Sequence, residues 1–447
     1  MLNDGALTAH AGRRSMLLSA MSSQGRGGVA LIPTAHEAAR NRDSLYPYRH
    51  DSYFYYLTGF SEPESVLVLI AGSGPSSTPR SILFCREKNL EREIWDGYRY
   101  GPEGARTTFG FDESRPISEL ASALPQLLSD QPAIYTFVGG DPDWDRKISA
   151  ALNGVRALSR TGVSAPTVVH DIRAILDQQR LVKDGYEIDV MRRAGEISSD
   201  AHIRAMQTAR PGQFEYQVEA ELLHEFVRNG AREQAYSAIV ASGPNACVLH
   251  YRENNRLMND GDLLLIDAGG EYASYASDIT RTFPVNGKFT GPQKAVYEVV
   301  LEAQMKCIDD IKPGNPFNAY HDTAVRVLSQ GLIDLGLCKG SLDSVIESKS
   351  YFQFYMHRAG HWLGLDVHDA GDYRIGGSTG QWQTLKPGMV LTVEPGLYIR
   401  PADNVPEKFH NIGVRIEDDI AVTQNGNENL TGKTPKTVAD VEAACKR

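Results

Sequence analysis

Two carboxylates stand at the ends of apolar runs. Asp267 closes Gly261-Asp262-Leu263-Leu264-Leu265-Ile266-Asp267, and Glu394 closes Gly388-Met389-Val390-Leu391-Thr392-Val393-Glu394. Each comes six residues after a glycine and two before another. A charge at the end of a buried strand is costly unless something positive meets it. One such residue has an ordinary reading as a hydrogen-bonded strand-end acid; two at matched positions point toward a shared cation. Asp278 lies eleven residues past Asp267, beyond Gly269-Gly270, so a hairpin would set the two aspartates side by side on adjacent strands. Glu417 lies 23 residues past Glu394, in Val414-Arg415-Ile416-Glu417-Asp418-Asp419. Carboxylates gathered this way raise one another's pKa unless a metal neutralises them.

Histidines supply the other half of the chemistry. Of twelve, three fall in a single short stretch, His357, His361 and His368, and His250 stands apart in Cys247-Val248-Leu249-His250-Tyr251. A lone histidine is ordinarily a core or surface residue, but three together among glycines that admit close backbone approach suggest a site. Four carboxylates and one imidazole could hold two ions about 3.5–4 Å apart, with a bridging water deprotonated near neutral pH as a nucleophile for hydrolysis. An oxygen-rich shell favours manganese, or else cobalt or iron, over a closed zinc site. Competing motifs are weak. Gly376-Gly377-Ser378-Thr379-Gly380 matches a nucleophile elbow in letters, but no apolar strand precedes it and Pro387 interrupts the span where a helix should come. Gly432-Lys433-Thr434 resembles the end of a phosphate loop, yet position 427 is Asn and no strand leads in.

Elements must position these groups. From residue 29 to about 170 short apolar strands recur, at 66–70, 81–84 and 133–138. They alternate with turns such as Gly72-Ser73-Gly74-Pro75 and with helical sequence such as 117–128, which predicts a sheet with helical cover. Near Asp171 the texture changes to charged helical sequence running to Ala209, stopped by Arg210-Pro211-Gly212. A second helix carries Val218, Leu222 and Phe226. The pattern then recurs, with Val296, Val299, Val300 and Ala303 before Lys312-Pro313-Gly314, and Ala324, Val327 and Leu328 after it. The two carboxylate-ended strands belong to these two repeats. The fold class expected is therefore α/β (α+β): an N-terminal mixed α/β domain over 1–173, and a domain over 174–447 built of two related halves about a pseudo-twofold.

Bulk properties narrow the classes. A chain of 447 residues exceeds one ordinary core, and 41% hydrophobic with 23% charged residues is globular composition. A net charge of −10 offers no footprint for nucleic acid. The five cysteines are scattered without a CxxC pair, which argues against a disulfide framework and suits a reducing cytoplasm. Arg13-Arg14 is followed by too interrupted an apolar stretch for a twin-arginine signal, so an amphipathic first helix packed on its own domain is expected. The longest apolar run, Val66 to Ala71, is far too short for a membrane span.

On these residues the chain resembles the Xaa-Pro aminopeptidases (aminopeptidase P) of the pita-bread metallopeptidase fold. The matching stretches are Ala241 to Tyr251, Leu265 to Gly269 with Ser277 to Pro284, His361 to Asp369, Val393 to Tyr398 and Gly413 to Asp418, joined in the first domain by Tyr46-Pro47-Tyr48-Arg49 and Tyr56 to Pro63. The resemblance implies five metal ligands, Asp267, Asp278, His361, Glu394 and Glu417, with Asp278 and Glu417 bridging two divalent ions, most readily Mn2+. It implies that Glu394 passes a proton from the bridging water to the leaving nitrogen, with His250 near that nitrogen and His368 near the scissile carbonyl oxygen. His357 and Arg415 would shape the site, and Tyr236, Val367 and Tyr398 would wall the proline pocket. Bacterial members place a tryptophan from a neighbouring subunit over the site, and Trp95 is the match, which implies a homo-oligomer, dimer or tetramer. The expected substrates are peptides with proline second, with no nucleic-acid or membrane partner and a cytoplasmic location.

Two positions depart from the family's habit: Arg358 where glycine is usual, and Gly270 where cysteine is common. Neither is a ligand, and Arg358 bears on substrate entry and site charge. Prolidase, which cleaves only Xaa-Pro dipeptides, and a non-catalytic pita-bread binding protein are the alternative readings.

Overall fold

A computed structural model describes residues 4–25, 27–72 and 78–446. The chain divides into two compact units, Met1–Gln179 and Arg180–Arg447.

The first unit is built on a six-stranded mixed sheet. Its strands are β1 (Gly28–Pro33), β2 (Val66–Ala71), β3 (Arg80–Cys85), β4 (Glu113–Pro116), β5 (Ala133–Thr136) and β6 (Val168–Asp171), in the order β4-β3-β2-β1-β5-β6. β1 runs antiparallel to β2 and parallel to β5, so the strands expected at 66–70, 81–84 and 133–138 lie in one sheet. Of the turn expected at 72–75, residues 73–75 lie outside the described residues. The first helix, Asp4–Gly25, buries Ala6, His10, Arg13, Arg14, Leu17 and Met21, a single face at helical spacing. That face is partly ionic. Arg13 Nη1 donates to Tyr56 O at 3.3 Å and Arg14 Nη1 to Leu57 O at 2.9 Å, at the carbonyl end of the helix Ser52–Thr58. Two guanidiniums thus satisfy orphan carbonyls where the helix dipole is negative.

The second unit repeats itself. The helices Gly185–Thr208 and Glu215–Arg228 pack together in the first half, and Gly291–Asp310 and Ala319–Asp334 in the second. The expected continuous helix from Asp171 is two, Arg173–Leu181 and Gly185–Thr208. Asp184 breaks it by capping the second helix in a reciprocal box with Glu187. In the first half β7 (Ile239–Ser242), β8 (Leu263–Asp267) and β9 (Thr280–Pro284) form an antiparallel sheet in that order. In the second, β10 (Val390–Val393) pairs antiparallel with β13 (Asp418–Val422), and β11 (Gly396–Ile399) pairs with β12 (Ile412–Arg415). Asp267 ends β8 opposite Thr280 on β9, while Val393, the residue before Glu394, stands opposite Asp418 on β13. The carboxylate-ended strands therefore occupy matched places.

The hairpin after Asp267 differs from expectation in register. The chain leaves the sheet at Ala268 and makes a second small hairpin, Gly270–Tyr272 against Tyr275–Ala276. Asp278 consequently sits in the connection before β9, two residues short of the Thr280 that pairs with Asp267. Close approach of Gly269 to Ser277 O permits this path, since a β-carbon at 269 would lie 1.6 Å from that oxygen.

Candidate metal centre

Backbone pairing brings the distant residues together. The chain from Ala359 to Leu363 runs along β10: Glu394 N donates to Ala359 O at 2.8 Å, Thr392 N to His361 O at 2.9 Å and Leu363 N to Val390 O at 3.1 Å. His361 is thereby set beside Glu394. Gly360 allows it, because a β-carbon there would stand 2.0 Å from Thr392 O. The two halves join where Glu417 N donates to Thr280 O at 3.0 Å.

Five ligand-type side chains converge on one cavity of about 860 Å³, lined by Asp267, Asp278, His361, Glu394 and Glu417 together with Tyr236, His250, His357, Val367, His368 and Arg415. Asp278, His361 and Glu417 each present one atom within 4.8 Å of the other two, a set able to hold a metal ion. His361 Nε2 lies 3.4 Å from Asp278 Oδ2 and 3.8 Å from Glu394 Oε1. Its Nδ1 meets Trp362 O at 2.9 Å, and since a carbonyl only accepts, Nδ1 carries a proton and Nε2 is the nitrogen left facing the acids.

Electrostatics fit a cation. Burial pushes Glu394 up to about 7, against the pull of His361 and Arg415. Burial and the neighbouring acids raise Asp278, and raise Glu417 well above the usual range. Burial works against charge on His361, yet Asp278 and Glu394 outweigh it and take the imidazole up to about 9. Arg415 is the guanidinium among these acids, and its Nη2 is committed to Asp267 Oδ2 at 2.6 Å. Carboxylates in such excess over positive charge, beside an oriented imidazole, are the donor chemistry of a divalent ion.

The surrounding residues hold these side chains. Tyr236 OH lies 2.6 Å from Asp267 Oδ1 and also reaches Asp278 Oδ1. Thr280 Oγ1 donates to Glu417 Oε2 at 2.5 Å and accepts from Arg415 Nε at 3.1 Å. Tyr398 is buried behind the cavity wall, its hydroxyl 2.9 Å from both His357 Nε2 and Arg415 Nη1. Val367 lines the cavity, as do His250 and His368. Burial takes His368 down to about 4 and, with Arg415 beside it, His357 to about 3, so both rings are neutral at pH 7. Trp95 belongs to the other unit, on the helix Leu90–Asp96, and is 83% exposed.

Three anchors escaped the sequence. Glu215, fully buried, accepts from Ser242 N, Ser242 Oγ and Tyr251 OH at 2.7 Å, Arg256 N at 2.9 Å and Asn245 Nδ2 at 3.2 Å, fixing the segment that carries His250. Asp369 accepts from Arg180 Nη2 at 2.5 Å and Lys183 Nζ at 3.0 Å, fixing the loop of Val367 and His368. Asp418 accepts from Arg281 at 2.6 Å and Lys436 at 2.7 Å and stays well below the carboxylate range despite burial. The neighbouring Asp419, whose carboxylate receives Ser277 Oγ and Asp278 N but no cation among the described residues, is raised by burial instead. A clue existed in each case: an acid or base inside an otherwise apolar or tightly turned stretch.

The GxSxG letters fall on a turn between two short paired strands, Arg374–Ile375 and Gln381–Trp382, without a helix after them, so no nucleophile elbow is present there.

Residues 189–424 match metallopeptidase family M24, and residues 10–135 match the aminopeptidase P N-terminal domain. The Xaa-Pro aminopeptidase of Escherichia coli K12 is 47% identical over 96% of each chain, and that of Haemophilus influenzae 47% over 91% of this chain and 90% of its own. Human Xaa-Pro aminopeptidase 3 is 35% identical over 97% of this chain and 85% of its own. Among solved structures, the Pseudomonas aeruginosa aminopeptidase PepP superimposes with a TM-score of 0.94 at 49% identity over 98% of both chains. Zinc-substituted E. coli aminopeptidase P in complex with product does so with a TM-score of 0.94 at 46% identity, again over 98% of both. With its pita-bread catalytic unit and its aminopeptidase P-type N-terminal domain, the chain belongs to metallopeptidase family M24, among the Xaa-Pro aminopeptidases.

Proposed function

We propose that this protein hydrolyses the bond between the first residue and proline in peptides with proline second. The observation that carries the reading is the convergence of all five ligand-type side chains on one cavity. Asp267, Asp278, His361, Glu394 and Glu417 would hold two divalent ions, manganese by preference, since four of the five groups are carboxylates. When bound, the pair supplies Lewis acidity, polarising the scissile carbonyl and making water a nucleophile near neutral pH.

The remaining work belongs to the chain. Glu394 takes a proton and returns it to the leaving nitrogen at Oε2, an oxygen 3.9 Å from His357 Nδ1. His250 stands exposed at the cavity wall, near the place that nitrogen would take. The neutral His368 ring, centred 4.1 Å from that of His361, donates an N–H where charge develops on the carbonyl oxygen. His357 and Arg415 are held by Tyr398. Tyr236 and Val367 bound the space for the proline ring. That ring removes the N–H on which ordinary peptide recognition depends, so a shaped slot beside the ions takes its place.

A homo-oligomer, in which Trp95 of one copy covers the site of another, agrees with the helix Leu90–Asp96: it buries none of its residues, and Leu90, Ile94 and Tyr98 are at least 78% exposed. Five buried free cysteines agree with a cytoplasmic location. No described helix is long and apolar enough to cross a membrane.

Release of the first residue from Xaa-Pro-Ala peptides, with Mn2+ and with chelator, tests the reading. Metal-dependent cleavage is expected. Cutting of Xaa-Pro dipeptides alone would mean a prolidase, and no cutting at all a binding protein.

A further inference from the structure

Two guanidiniums share one indole in the wall of the cavity. Arg374 Cζ lies 3.6 Å from the centre of the Trp382 ring and Arg358 Cζ lies 4.8 Å from it. Arg374 faces Trp382 across the pair of short strands, and its Nη1 donates to Gly380 O at 2.7 Å in the connecting turn. Arg358 is held by Asn318 Oδ1. All three residues line the same cavity as Asp278 and Glu394. Arg358 also begins close to the reacting groups. Its carbonyl accepts from His357 Nδ1 at 2.7 Å, and that nitrogen is 3.9 Å from Glu394 Oε2.

Among the described residues neither guanidinium has a carboxylate within 4.0 Å, although Asp372 lines the cavity too. Two like charges against one ring repel each other. A guanidinium stacked on an aromatic face keeps its in-plane N–H edge for a planar acceptor. A carboxylate relieves the repulsion and fits that edge, often through two parallel hydrogen bonds. A peptide whose second residue sits at the ions extends its later residues along the rest of the cavity.

We propose that Arg358 and Arg374, held by Trp382, form a subsite for a substrate carboxylate downstream of proline. It rests on the reading as an Xaa-Pro aminopeptidase and adds a specificity to it. The carboxylate is the chain end of a short peptide or an acidic side chain after proline. The subsite makes the enzyme selective for peptides that bring a negative charge there.

The test compares kcat/KM for Ala-Pro-Ala with its C-terminal amide, and for Ala-Pro-Glu-amide with Ala-Pro-Gln-amide, in the Mn2+-loaded enzyme. The guanidiniums are partly open to water, so a preference of about tenfold is expected in one pair, shrinking as salt is raised. The first pair assigns the chain end, the second the side chain. Arg358→Gln, Arg374→Gln and the double variant should bring the preference toward one. The ratio is read within each variant, so partial loss of folded protein cancels, and Arg358→Lys, which keeps the charge, should restore part of it. Equal rates within both pairs for the wild type overturn the proposal, as does a preference that survives the double variant. Failure to cleave any of the four peptides removes the aminopeptidase reading itself, and the subsite with it.

Discussion

The Tyr236 hydroxyl lies 2.6 Å from Asp267 Oδ1 while the same oxygen reaches Asp278 Oδ1. A phenol has one proton to give, and burial between the acids holds its pKa well above the usual value, so it remains a donor. It therefore holds two of the proposed ligand carboxylates with one proton, and partners of this kind are typically worth about 10–100-fold in metal affinity. Tyr236→Phe should fold normally and bind Mn2+ about 10–100-fold more weakly in calorimetric titration of the metal-free protein. Unchanged affinity would show that the hydroxyl does not organise the ligands.

Metal should stabilise the fold more as pH rises. Glu394 is raised from 4.5 to about 7, and Asp278 and Glu417 are raised too, so the folded metal-free protein binds more protons than the unfolded chain. Acids raised on folding contribute stability that is fully present below their unfolded pKa and is lost as pH climbs through the folded one. Between about pH 4.5 and 7 the chelated protein therefore loses stability that bound ions restore. Buried His202, lowered to about 4, acts in the opposite direction. The expected observation is a gap in Tm between Mn2+-loaded and chelated protein that widens across this range. A gap that is constant or narrows would sink the account.

Asp369 answers two buried cations at once. Arg180, Lys183 and the Asp369 carboxylate are each about 1% exposed at their side chains. Asp369→Asn takes the buried carboxylate from both cations, leaving Arg180 its bond to Asp366 Oδ2 at 2.8 Å, and breaking such a buried pair costs about 3–5 kcal/mol. Because Asp369 N also bonds Trp362 O at 3.0 Å, the loop of His368 is expected to loosen with it. Thermal unfolding of the catalytic unit should shift down by about 10 °C, with turnover falling further than metal content. A shift of only a degree or two would mean that the cations find other partners.

What the sequence displayed was repetition and strand ends. Asp267 and Glu394 were visible as acids closing apolar runs because burial makes charge conspicuous there. What it concealed were partners brought together by folding alone: Arg180 and Asp369 are 189 residues apart, and Arg281 and Asp418 are 137 apart. The break at Asp184 was written in its own letters, Asp184-Gly185-Tyr186-Glu187, a capping box inside a helical pattern. The hairpin register was misplaced because Gly269 and Gly270 each admit close packing, and the chain spends the extra residues on a second turn. Arg13 and Arg14 look like part of a targeting signal in isolation, but the carbonyls they satisfy belong to a helix some forty residues later.

Glu394→Gln keeps the shape of the side chain and removes its capacity to take a proton. The variant should fold, and turnover should fall by about 10²–10⁴. Because Glu394 is also a proposed ligand, metal content measured on the same sample separates loss of proton transfer from loss of the ions. Near-normal turnover with both ions bound would refute the role.

Glu215 offers a sharper test of how His250 is held. One of its oxygens receives Ser242 N, Ser242 Oγ and Asn245 Nδ2, and the other receives Tyr251 OH and Arg256 N. A glutamine cannot serve both groups. In either orientation its NH2 confronts a backbone N–H, that of Ser242 or that of Arg256, and leaves it without an acceptor. A buried donor left unsatisfied costs about 1–3 kcal/mol, and the bonds to a charged acceptor are lost besides. Glu215→Gln should therefore lower the unfolding free energy by at least about 2 kcal/mol and mobilise residues 242–251. The proposed ligands lie outside that segment, so metal content should hold while kcat drops and hydrogen exchange at Ala246, Cys247 and Val248 accelerates. Retained kcat with accelerated exchange would show that His250 needs no fixed loop, and unchanged exchange would show that the carboxylate is not what fixes it.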